Sequence, residues 1–131
     1  MTYHSPSETV RVSFPRTQAW AEVRVADTEA DRIQGLHGVR ALAPHEGLLF
    51  RFPPQPPPIA MTMATMLIPL DIIFIGEDLT IKHIAHRLAP GRQQPVLGPA
   101  VPWVLEVPVG FARRHRLRLG DRANLSSYSH A

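Results

Sequence analysis

The run Ile68-Pro69-Leu70-Asp71-Ile72-Ile73-Phe74-Ile75 constrains the fold of this chain more than any other segment. It is the most apolar, β-branched stretch of the sequence and reads as a strand over 70–75, with a single carboxylate inside it. Left unpaired in such surroundings, a carboxylate costs several kcal/mol, so Asp71 has to meet a donor, shift towards its neutral form, or open onto a cleft. Trp103-Val104-Leu105-Glu106-Val107 repeats the pattern with a second acid. Strand alternation sets Asp71 on the face of Ile73 and Ile75, and Glu106 on the face of Val104. Each acid is therefore expected to look inward or into a cleft.

With 131 residues and 44% hydrophobic content the chain fits one domain able to bury a core without disulfides or metal. Having no cysteine, it has no disulfide, thiolate nucleophile or Cys-based metal centre. No apolar run reaches membrane-spanning length, and the first residues, Met1-Thr2-Tyr3-His4-Ser5-Pro6, lack the charged head and apolar stretch of a secretory signal. The expected location is cytoplasmic for the sequence as it stands, and periplasmic or secreted if a leader precedes it. All but one of the 14 basic residues are Arg, so a pI near 10.2 accompanies a net charge of only +3. Arg113, Arg114, His115, Arg116 and Arg118 form one basic run. Lacking interleaved aromatics and any nucleic-acid motif, it reads as a solvated face, and specific nucleic-acid binding is not expected.

The polar ends predict flexible termini over 1–9 and 126–131 flanking a single domain over 10–125. Within it, 21–26 alternates with period two and reads as a strand. Thr28 followed by Asp31 resembles a capping box opening a short helix through Ile33, ended by Gly35 or Gly38. Residues 47–52 form the next predicted strand, which the prolines of 53–58 stop. Strands are also predicted over 59–63, 80–87, 103–107 and 123–125, with a second helix over 111–117. The Gly- and Pro-rich stretch 89–102 reads as a loop. The expected class is mainly β or α+β: one small barrel- or sandwich-like domain of six to eight short strands with two short helices.

Arg32 on the first helix and Arg40 just beyond it are the natural partners for the two acids, because a planar guanidinium suits a partly buried carboxylate. The set Arg32, Arg40, Asp71 and Glu106 is read as a structural or binding network lining a cleft for a small ligand or protein partner, with no cofactor and no catalytic residue assigned. Two alternatives are kept. Asp71 and Glu106 could serve as acid and base in a hydrolase-type enzyme, which needs a defined separation between them. Met61, Met63 and His37 could hold Cu(I), making the chain a copper-binding accessory protein. Met61 and Met63 share a strand face, and alternation puts Met66 on the other unless the chain bends before Pro69. No nucleophile elbow, phosphate loop or H-E-x-x-H motif is present.

Read in order, Arg32-x-x-Gly35-Leu36-x-x-x-Arg40, Gly47-Leu48-Leu49-Phe50-x-Phe52, Ile68 to Ile75, Val104-Leu105-Glu106-x-x-x-Gly110 and Gly120-Asp121 resemble the bacterial and archaeal family called domain of unknown function 192. The resemblance covers roughly residues 20–123. It implies a compact, mainly β single domain in a family with no established activity, and it carries all four of Arg32, Arg40, Asp71 and Glu106.

Overall fold

A computed structural model of the chain describes residues 8–127. Nine strands and two short helices occur among them: β1 (Thr9–Phe14), β2 (Ala19–Ala26), α1 (Glu29–Gln34), β3 (Glu46–Arg51), β4 (Ile59–Met61), β5 (Leu70–Ile75), β6 (Ile81–Leu88), β7 (Val96–Gly98), β8 (Trp103–Pro108), α2 (Phe111–Arg114) and β9 (Asn124–Ser127). Seven of the strands form one sheet in the order β6-β5-β8-β3-β2-β1-β9, and β4 pairs with β7 in a separate ribbon. Every pairing is antiparallel except β2 with β3, which the α1 crossover makes parallel. The sheet curls until its edges approach. Residues 79–81, at the start of β6, exchange backbone hydrogen bonds with 120–123 ahead of β9, including an antiparallel bridge between Thr80 and Arg122.

The curl separates two apolar layers. Val12, Phe14, Val23, Leu49, Ile73, Leu105 and Phe111 belong to one, and Leu48, Phe50, Met63, Ile72, Phe74 and Val104 to the other. Because β5 is covered on both faces, all six of its residues are buried, and the period-two alternation of a half-solvated strand is lost there. β3 and β8 are buried in the same way over four central residues each. Gly47 serves their close approach: a Cβ at that position would stand 2.3 Å from the carbonyl oxygen of Glu106.

Several predicted boundaries move. β1 is a strand where none is expected; it begins at Thr9, inside the stretch read as flexible, and pairs with both β2 and β9, while the edge strand β9 runs through Ser127 because its polar residues join the ladder with β1. Residues 1–7 and 128–131 lie outside the described residues. The predicted loop 89–102 contains β7, whose three residues pair with β4. The strand expected over 59–63 ends at Met61, and the second helix stops at Arg114, where His115 leaves helical geometry. Met66 does not fall on a face apart: the chain turns after β4, the Met66 N–H donates to the Met63 carbonyl, and Met61, Met63 and Met66 all join one apolar layer.

Candidate functional site

The two acids of the apolar strands lie on opposite faces of the sheet. Asp71 pairs across the ladder with Val107, and Glu106 pairs with Ile72 on one side and Leu48 on the other. Adjacent ladder positions point their side chains in opposite directions, so Asp71 enters the layer of Ile73 and Leu105 while Glu106 enters that of Leu48 and Val104. The sheet itself therefore separates them, and they form no acid–base pair across one substrate.

Asp71 is fully buried and meets backbone donors, where the sequence pointed to arginine. Its Oδ1 accepts the N–H of Arg87 at 2.9 Å and its Oδ2 the N–H of Ala112 at 2.9 Å. Arg87 sits in a β-bulge, where β6 carries an extra residue opposite Asp71, and it adopts a left-handed φ of 51°. Ala112 lies in the first turn of α2, whose N-cap is Gly110 and has no side chain to offer. Asp71 thus supplies from β5 the cap that α2 lacks, and holds the bulge with its other oxygen. Nothing in the sequence marks a carboxylate as a cap for a helix forty residues away.

Glu106 is different. Only 3% of its surface is exposed, and its carboxyl makes no hydrogen bond or ion pair with any described residue. Burial pushes its pKa up to about 8 from an ordinary 4.5. The side chain ends at the floor of a cleft of about 520 Å³ that opens between α1 and the segment after β4. The apolar part of that cleft comes from Leu36, Phe50, Phe52, Met61 and Met66; its polar part comes from Arg32, His37, Thr62, Thr65 and Glu106.

Local sequence places the rim. Thr28 caps α1 by accepting the Asp31 N–H at 3.0 Å, and Gly35 ends the helix at φ 48° with its N–H on the Asp31 carbonyl. That short helix delivers Arg32, which is half-buried. Its Nη1 donates to the carbonyls of Asp27 at 2.7 Å and Arg51 at 2.9 Å, and its guanidinium lies 5.4 Å from the centre of the Phe52 ring. The turn after the helix delivers His37, whose Nδ1 is 2.6 Å from the Thr65 hydroxyl.

Of the four residues read as one network, Arg32 and Glu106 come together at the cleft, and Arg40 and Asp71 do not. Arg40 is exposed and makes no ion pair with either acid. Arg32 stays beyond salt-bridge distance of Glu106, because its guanidinium is engaged by backbone carbonyls at the rim. Of the residues proposed for copper, Met61 and His37 line the cleft, while Met63 is enclosed at 0% exposure behind it. A second groove, bordered by Pro54, Pro56 and Trp103, contains no buried polar side chain of this kind.

Sequence reasoning passed over one buried acid. Asp121 accepts from Arg16 through Nε at 2.6 Å and Nη2 at 2.9 Å, and from the Arg118 N–H at 2.9 Å. The Arg16 hydrogen bonds hold its carboxyl below the usual carboxylate range. This fork ties the β1–β2 turn to the segment before β9, a structural role that the Gly120-Asp121 turn signal by itself could not reveal.

Comparison with known proteins agrees with this architecture. A solved structure from Sinorhizobium meliloti 1021, described as a putative transcription regulator, superposes with a TM-score of 0.82 at 31% identity and covers 95% of this chain and 98% of its own. Another, from Novosphingobium aromaticivorans DSM 12444 and described as a protein of unknown function, gives a TM-score of 0.77 at 31% identity over 88% of this chain and 83% of its own. No curated protein matches the chain. The model of the family described as DUF192, Uncharacterized ACR, matches residues 11–125, the whole span from β1 into β9, and the chain belongs to that family.

Proposed function

We propose that this domain binds a small molecule in the cleft floored by Glu106 and does not catalyse a reaction there. One observation carries the reading: a carboxyl group almost wholly removed from water, without a partner among the described residues, lines an open cleft. A purely structural role would have evolved a donor for it, as Asp71 and Asp121 each have. The geometry argues against the hydrolase alternative, since the second carboxylate lies across the sheet.

The test follows from the lining methionines. With 13C-methyl-methionine labelling, a library of small polar fragments is expected to move the resonances of the Met61 and Met66 methyls, which line the cleft. Shifts confined to other surfaces, with Met61 and Met66 unmoved, would overturn the reading.

The description of the Sinorhizobium relative raises nucleic acid as a partner, and here the observations point the other way. The basic run is exposed at Arg113, Arg114, Arg116 and Arg118, yet α2 has only four residues, too short to enter a major groove. Fluorescence anisotropy with duplex DNA at physiological salt is expected to show weak, sequence-independent binding that fades as salt rises. Sub-micromolar binding that depends on sequence contradicts this.

A further inference from the structure

We propose that the cleft selects a small organic anion, whose carboxylate or phosphate head meets Arg32 at the rim and whose apolar body lies along Phe50, Met61 and Met66 above Glu106. The inference rests on the binding reading just given and adds the class of ligand. It begins from charge. Among the residues lining the cleft, Arg32 is the fixed cation, and no ionised acid stands against it while Glu106 keeps its proton. A site with one cation and no opposing anion favours a negatively charged ligand.

Arg32 retains the capacity for it. Its Nη1 is committed to the Asp27 and Arg51 carbonyls, which fixes the guanidinium in place, while its Nε and Nη2 make no hydrogen bond to a described residue. Those two nitrogens form the fork that meets two oxygens of a carboxylate or phosphate. The floor is apolar apart from Glu106. Protonated, that carboxyl adds no charge and offers an O–H to an acceptor on the ligand; ionised, it would oppose an anion directly. The charged and titratable groups facing it across the cleft are Arg32 on α1 and His37 on the following turn. β3 and β4, the segment after β4, and the neighbouring position Ile72 on β5 present only uncharged side chains towards it.

The experiment compares four probes of one length on the intact chain: hexanoate, hexyl phosphate, hexylamine and hexanol, with affinity read from the Met61 and Met66 methyl shifts. At least one of the two anions is expected to bind tenfold or more tighter than the amine and the alcohol, and which one it is separates a carboxylate from a phosphate head. Anion affinity is expected to fall between pH 7 and pH 9.5, by up to about tenfold per unit once Glu106 ionises. E106Q is expected to remove that fall, and Arg32→Gln to remove the preference for the anion over the alcohol.

Hexylamine binding tighter than both anions at the same methyls would overturn the ligand class and leave the site standing. Methyls that respond to none of the four probes would overturn both. A pH response that survives in E106Q, or disappears in His37→Asn, would assign the titration to the imidazole and contradict the part given to Glu106. The comparison of probes uses the unaltered protein, so it decides the question even where a variant folds poorly.

Discussion

Replacing Asp71 with alanine is expected to lower the free energy of unfolding by roughly 3 to 5 kcal/mol, because two backbone N–H groups lose a charged acceptor at once. One of them, at Ala112, lies in the buried first turn of α2. The other, at Arg87, belongs to a bulge whose left-handed backbone is unfavourable for a side chain with a Cβ and is held by that hydrogen bond. Asp71→Asn keeps one acceptor oxygen and turns an N–H towards the remaining donor, so its loss should be smaller but still clear. Urea denaturation measures both. Loss of less than about 1 kcal/mol in Asp71→Ala would show that the carboxylate is not what joins β5, β6 and α2.

The second large effect is a pH dependence that runs against the usual behaviour of acidic groups. Glu106 titrates at about 8 in the fold, against 4.5 as its ordinary value. Between those values the folded chain keeps a proton that the unfolded chain has released. The stabilisation is therefore fully present below about pH 4.5 and is lost as pH rises through about 8. A difference of that size corresponds to on the order of 5 kcal/mol across the whole window. Asp121, whose pKa is depressed, acts in the opposite sense and at the acid end, where falling pH removes its contribution. The two are separated by measuring unfolding free energy against pH for the native chain and for E106Q, which cannot titrate there. The curves should diverge as pH rises, with the native chain falling further; parallel curves would show that Glu106 ionises normally.

Which strands form the core was legible from composition and alternation. The apolar runs at 70–75 and 103–107 are β5 and β8, neighbours at the heart of the sheet, and the Thr28 cap and Gly35 stop bound α1 as their residue types predict. Edge elements were less legible. β7 has three residues in a Gly- and Pro-rich stretch, and β9 draws on polar residues that its ladder with β1 organises. Their structure comes from partners distant in sequence, which a local pattern does not encode.

For the site, alternation correctly paired each acid with the face of its own strand. It could not relate one strand's face to another's, because register is a property of the pairing; that Val107, not Glu106, stands opposite Asp71 decides that the acids part. Charge complementarity drew attention to Arg32 and Arg40, yet backbone N–H groups satisfy Asp71, and backbone carbonyls hold Arg32. That Glu106 has no partner among the described residues becomes visible only once their donors have been placed.

Central here is that Glu106 is a neutral carboxyl without a partner among the described residues, at the floor of a cleft. Following its side-chain carboxyl 13C resonance through a pH titration of the ligand-free chain, assigned by its disappearance in E106Q, tests that directly. The account predicts a midpoint near 8, and a midpoint in the ordinary carboxylate range near 4.5 would contradict it.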